Sequence, residues 1–303
     1  MLWEEPTMTD YILSCCTCAD LTARRFQELG LETIGFHYTV NGVEREDDCW
    51  ESVSADEFYR ILRDGAETST AQVNIAEYLN YFGKFLSQGK DVVHVCLSSG
   101  ISGTYNAAKN AANIAAEQYP DRHVYVVDSL CASTGFGFFM DALAAKRDEG
   151  LSAKELADWA EANKKKVQHW FFSTDLSYYV RGGRVSKAAG IFGGVFHICP
   201  LLHVDEGGHL KPQSKVRGKD RVIKEMVKRM QKYARDGVNY NGKCFLCQSA
   251  CMEDAQAVAD LITATFPHLD GKPEIFHIGA TIGSHTGPDT VALFFWGEER
   301  TAD

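Results

Sequence analysis

Positive charge is in short supply here. Against 41 Asp and Glu stand 31 Lys and Arg, for a formal net charge of −10 and an isoelectric point near 5.5. Such a chain gains little sequence-independent attraction to a phosphate backbone or an anionic bilayer, and no nucleic-acid partner is expected. Long apolar runs are lacking too. A long stretch without formal charge, GIFGGVFHICPLLHV at 190–204, contains glycines, a proline and two histidines. It falls short of the roughly 20 residues a spanning helix needs. The opening MLWEEPTMTDYIL is acidic where a secretory leader is basic, and has no clean apolar region before a small-residue cleavage site. A soluble, cytoplasmic protein is the expectation.

Cysteine is sparse for a disulfide scaffold: ten in 303 residues, far below the density of small secreted domains. Two clusters, SCCTC (Cys15, Cys16, Cys18) and CFLCQSAC (Cys244, Cys247, Cys251), invite a test for zinc. Neither has a second well-spaced pair. Cys244 and Cys247 also fall in a strand-like stretch where an odd spacing sends them to opposite faces. Reduced, buried thiols and no metal are expected.

What is present is alternation. YILSCC, ETIGFHYTV, DVVHVCL and HVYVVDS read as strands, separated by helices at DLTARRFQELG, SADEFYRILRDG, IAEYLNYFGKFLSQG and about 103–118, with a turn at Asn41-Gly42. Continuous apolar strands between helices predict a doubly wound parallel sheet. Helices at about 136–149 and 152–166 lead to a second half with fewer crossover units and longer helices. The expected fold is α/β with two domains: residues 1–167 as a doubly wound parallel-sheet domain, and 168–303 as an α+β domain.

The densest chemistry is HVCLSSGISGTYN, where a buried strand passes through serines and glycines into a helix. The carboxyl edge of a parallel sheet is where such folds bind ligands, and a helix N-terminus favours an anion. Helix capping by Ser99 or Ser102 is the plain alternative. The loop lacks a P-loop lysine and any G-x-G-x-x-G. It approaches the G-x-S-x-G nucleophile elbow through Gly100, Ser102 and Gly103, with Thr104 in the last glycine's place. Asp128 and His285 follow in hydrolase order, so a serine hydrolase or acyltransferase using Ser102, Asp128 and His285 is the second reading.

Further pieces are TSTAQVN (68–74), VVDS (126–129), RGGRVSKAAG (181–190), PLL followed by KVRG (215–218), and IGSHTGP (282–288). In this order, with SSGISGTYN, they resemble the DegV family of fatty-acid-binding proteins across nearly the whole chain. The resemblance implies two domains enclosing one long-chain fatty acid as ligand, with no cofactor. It implies that Thr70, Ser98, Ser99, Ser102, Arg184 and His285 hold or approach the carboxylate. It further implies a lipid-binding protein that is not itself an enzyme, presenting its acid to a fatty acid kinase subunit for acyl-phosphate formation in phospholipid metabolism, with transient membrane contact. Departures from the pattern are Cys15 and Cys16, where the family's first strand ends in Asp-Ser, Ala71 in its T-S-Q motif, and Val73-Asn74 in place of Pro-Ser.

Such a pocket makes physical sense. Burying about 15 methylenes gains on the order of 12 kcal/mol before ordering costs, while a buried carboxylate needs several donors to replace its hydration. GFGFFMDAL (135–143) and GIFGGVFHICPLL (190–202) have a small-plus-aromatic composition suited either to a tunnel wall or to ordinary core.

Overall fold

The computed structural model of the protein describes residues 11–186 and 198–301. In chain order the first half contains β1 (Tyr11–Cys16), α1 (Ala23–Glu28), β2 (Glu32–Ile34), β3 (His37–Val40), β4 (Val43–Glu46), α2 (Ala55–Arg63), β5 (Thr68–Ala71), α3 (Ile75–Leu86), β6 (Asp91–Cys96), α4 (Thr104–Gln118), β7 (Val124–Asp128), α5 (Thr134–Asp148) and α6 (Ala153–Asn163). The second half contains β8 (Val167–Ser173), α7 (Ser177–Arg181), β9 (Ile198–Val204), β10 (Leu210–Arg217), α8 (Lys219–Tyr233), β11 (Phe245–Gln248), α9 (Met252–Thr265), β12 (Glu274–His277), α10 (Ala280–Thr286) and β13 (Thr290–Trp296). No described helix is long and apolar enough to cross a membrane.

Three sheets result. A parallel sheet runs β2-β1-β6-β7, a mixed sheet runs β10-β9-β8-β13-β11-β12, and a small antiparallel sheet runs β4-β3-β5. The parallel sheet follows from its connections, because α1 and α4 each carry the chain back to start a strand in the same direction. Its order turns outward on both sides of the β1–β6 pair, which puts a topological switch point at their carboxyl ends. In the mixed sheet only β11 and β12 are parallel; its other pairs are antiparallel. The architecture is therefore α/β, with a parallel and a mixed sheet.

One local expectation needs correction. ETIGFHYTV is not one strand: it breaks after Ile34, so that β2 joins the parallel sheet and β3 starts the antiparallel one. Gly35 sits at the break, where a Cβ would run into the Glu46 side chain. Within TSTAQVN, Thr68–Ala71 forms β5 and pairs Thr70 with Tyr38. The Asn41-Gly42 turn is as read: both residues have positive φ, at 49° and 80°, which a tight hairpin requires.

Helix α5 lies between β8, β11 and β13 on one side and the turn at Thr17–Ala19 on the other. Its run Gly135-Phe136-Gly137-Phe138-Phe139-Met140 is wholly buried, as expected of a helix apolar all round. Gly135 allows the approach of His169 and Phe294, and Gly137 that of Ala19 and Leu21. GFGFFMDAL is therefore core packing and not tunnel wall. Of GIFGGVFHICPLL, residues 190–197 lie outside the described residues, while Cys199, Leu201 and Leu202 pack into cores. One core cluster spans the parallel sheet, α5 and one face of the mixed sheet; a second fills the opposite face beneath α8 and α9.

Candidate functional site

The serine loop leaves β6 and is pinned at several points. Ser98 N–H donates to the Cys131 carbonyl at 3.0 Å, and Ser98 Oγ donates to the Gly208 carbonyl at 2.9 Å while accepting Gly100 N–H at 3.1 Å. The Asp128 carboxylate accepts N–H groups from Ser99 and Leu130 at 3.0 and 3.1 Å. Gly100 abuts the Gly207-Gly208 turn between β9 and β10, where a Cβ would come within 2.6 Å of backbone atoms. The loop thus locks the parallel sheet's edge to the mixed sheet.

The serines do not cap α4 in the usual way. Gly103 is its N-cap, without a side-chain cap among the described residues; Ser102 Oγ accepts the Thr104 N–H at 3.2 Å. The first-turn N–H groups therefore keep the positive end of a 15-residue helix turned toward the loop.

Between the sheets lies a cavity of about 80 Å³, several times the roughly 10–15 Å³ one water occupies by the same measure. Leu97, Phe171, Val204, Leu210, Ala292 and Phe294 give it apolar walls. Four of the residues expected from sequence meet on its lining: Thr70 from β5, Ser102 from the serine loop, Arg184 just after α7, and His285 from α10. Thr70 Oγ1 and His285 Nε2 are 2.7 Å apart. Arg184 reaches across to the serine loop, Nε donating to the Ile101 carbonyl at 3.1 Å and Nη1 to the Gly182 carbonyl at 2.6 Å. Ser98 and Ser99 do not line the cavity: Ser98 is buried in its tether to Gly208, and Ser99 is exposed.

The electrostatics of this end favour an anion. Burial, and then the neighbouring Arg184 charge, lower the His285 pKa to about 4, so the imidazole is neutral at pH 7. Its Nδ1 is buried and has no hydrogen-bond partner among the described residues. Burial also lowers the Arg184 pKa. A guanidinium taken partly out of water in this way is a ready counter-charge.

The hydrolase constellation is not assembled. Among the described residues no hydrogen bond joins Ser102, Asp128 and His285, because His285 Nε2 faces Thr70 and the Asp128 carboxylate serves the loop backbone. The cysteines stand apart from this end of the cavity. Cys15, Cys16 and Cys18 are buried at the end of β1, with Cys16 Sγ 3.5 Å from Tyr78 Oη, and none lines the cavity. Cys247 does line it, while Cys244 belongs to the core on the other side of the sheet. Among the described residues no His, Cys, Asp and Glu groups form a metal-binding cluster.

Sequence reasoning did not single out several polar members of the lining, among them Ser133, His169 and Thr281. His169 Nε2 accepts the Ala132 N–H at 3.3 Å, which leaves Nδ1–H to donate to the Val167 carbonyl at 3.0 Å. A histidine within the apolar run HWFFS was the one signal available for it.

Apolar walls with hydroxyls, a neutral imidazole and a guanidinium gathered at one end make an arrangement that suits an amphiphile with an anionic head. The DegV family model, described as an uncharacterised protein family, matches residues 17–298. A DegV domain-containing protein of Clostridium perfringens is 32% identical over 97% of this chain and 99% of its own length, and another from Lactococcus lactis is 30% identical over 95% and 97%. The chain belongs to the DegV family. Its fold matches a fatty-acid-binding DegV family protein from Thermus thermophilus, with a TM-score of 0.83 at 23% identity over 95% of this chain and 99% of that one. It also matches a stearic acid-binding protein from Eubacterium ventriosum, with a TM-score of 0.84 at 22% identity over 94% and 97%.

Proposed function

We propose that this protein binds one long-chain fatty acid in the cavity between its sheets, with the carboxylate at Thr70, Ser102, Arg184 and His285 and the tail along the apolar walls. Ser98 and Ser99 contribute by shaping the loop that carries Ser102. In this reading residues 1–167 supply the serine-loop side of the pocket and residues 168–303 close it. The bound acid is then presented to a fatty acid kinase subunit for acyl-phosphate formation, the protein acting in the cytoplasm as a substrate-presenting lipid binder and not as an enzyme.

The observation that carries the proposal is the convergence of those four side chains, from four separate segments, on one end of an apolar cavity. The fatty-acid ligands named for DegV relatives support it. Natively purified protein extracted with organic solvent should yield fatty acid at near one per chain by mass spectrometry. No co-purified lipid, together with no uptake of added palmitate or oleate, would overturn the binding reading. For the kinase step, loaded protein mixed with a fatty acid kinase and ATP should give an acyl phosphate that hydroxylamine traps; loaded protein that supports none removes that part alone.

A further inference from the structure

The lining of the same cavity includes further polar groups that a plain acyl chain leaves unused. Thr281 and His285 are four residues apart on α10, so they share one face of that helix about 6 Å apart along its axis, and both line the cavity. Thr281 is only 3% exposed. Its N–H donates to Asp47 Oδ2 at 2.9 Å, but its Oγ1, which lies near the same carboxyl, has no partner in hydrogen-bond geometry among the described residues. Buried hydroxyls ordinarily find partners, so one without a partner on a cavity wall points to a ligand group.

Ser133 lines the same cavity. It is held at φ 53° and ψ −146°, a conformation glycine favours and other residues adopt at a cost. Its Oγ is hydrogen-bonded to Asp20 Oδ2 and lies 3.3 Å from Cys247 Sγ. The two sites are linked from behind. Gly279, at the start of α10, packs against Asp20 Oδ1, and a Cβ there would lie 3.6 Å from Asp47 Oδ2. Burial raises both carboxyl pKa values above the ordinary range. Behind the wall, Asp20 holds the Ser133 hydroxyl and Asp47 holds the Thr281 backbone N–H.

We infer that Thr281 and Ser133 form a subsite for a hydroxyl group on the acyl chain, making a hydroxylated long-chain fatty acid the preferred ligand. The inference rests on the fatty-acid reading above. The ligand hydroxyl accepts from Thr281 Oγ1–H and donates to Ser133 Oγ, in keeping with the donor and acceptor capacity of each group. Specificity of this kind comes from a buried polar group that a plain chain leaves unsatisfied.

The test is calorimetric titration of delipidated full-length protein with stearate and with 3-, 7-, 10- and 12-hydroxystearate. At least one positional isomer should bind about 3- to 10-fold more tightly than stearate, the gain expected from one hydrogen bond between neutral groups. Thr281→Val, which replaces the hydroxyl by a methyl of similar size, should abolish that preference while stearate affinity is kept. If Thr281→Val does not fold, Ser133→Ala decides by the same criterion. Stearate binding at least as tightly as every isomer, or a preference that survives in the folded variant, overturns the subsite alone. Failure to bind any of the acids overturns the fatty-acid reading and the subsite with it.

Discussion

The two faces of the mixed sheet come from the same strands and do different things. On one face Trp170, Phe172, Leu201, Leu246, Val291, Leu293 and Phe295 pack beneath α8 and α9 as continuous apolar core. On the other, alternate residues of the same strands, among them His169, Phe171, Cys247, Ala292 and Phe294, line the cavity. Every residue of β8 is buried, as is every residue of β13 except Trp296. What separates the two faces is therefore what lies opposite: α8 and α9 on one, and on the other α5 together with the elements that carry Thr70, Ser102, Arg184 and His285 around the cavity. Burial of the strand itself does not distinguish them.

The largest way to break this comparison is a pair of neighbouring truncations. Phe172→Ala, on the helix-covered face, should cost about 3–5 kcal/mol of stability in urea unfolding, from lost burial plus the cavity left behind. Phe171→Ala, on the cavity face, should cost distinctly less and should show its main effect as weaker fatty-acid binding. Equal stability losses with unchanged binding would mean that the two faces do not differ.

Next comes pH. The folded-state pKa of His285, about 4, lies below the ordinary 6.5, so between these values the unfolded chain binds more protons than the folded one. Stability then rises with pH across that window and falls away on acidification toward pH 4, by at most about 3 kcal/mol for this group. Burial, followed by the Arg300 charge, lowers the His169 pKa too, which adds a component of the same sign. His285→Gln should flatten part of the slope in denaturation curves taken from pH 4 to 7; an unchanged slope would show that His285 is not the buried neutral group described.

Arg184→Ala should weaken fatty-acid binding by about 10- to 100-fold, the loss of a charge-assisted contact, while ligand-free melting shifts by only a few degrees. Arg184→Lys keeps the charge without the planar fork and should recover part of the binding. A mutant that unfolds readily but binds normally when folded would make Arg184 a structural residue. The smallest effect is expected at Ser102, where Ser102→Ala should weaken binding by about 5- to 10-fold, one hydrogen bond's worth. The wild-type protein should show no labelling by a fluorophosphonate probe. Wild-type labelling that Ser102→Ala abolishes would revive the hydrolase reading instead.

Much of this was legible beforehand, for identifiable reasons. YILSCC and DVVHVC declare buried parallel strands because they are apolar on both faces, and SSGISGTYN declares a sheet-edge loop because glycines and hydroxyls interrupt the pattern just before a helix. Thr70 was visible only as part of a motif, since a four-residue strand of Thr, Ser, Thr and Ala carries too little hydrophobic contrast to mark it as β5. The apolar GFGFFMDAL looked equally suited to core or tunnel, because composition does not say which surface a helix meets. Ser133 and Thr281 gave no signal, because a hydroxyl's unmet hydrogen bond exists only once its neighbours are placed.

By itself the sequence determined the alternation of strands and helices, the loop at the switch point, the opposite facing of Cys244 and Cys247, and the family. These depend on periodicity and short-range order along the chain. Only the tertiary structure decided that Ser102, and not Ser98 or Ser99, faces the cavity, that His285 meets Thr70 and not Ser102, and that Thr281 is left unsatisfied. Those outcomes turn on distances of a few ångströms between segments up to 215 residues apart, set by how three sheets pack, and no local pattern encodes them.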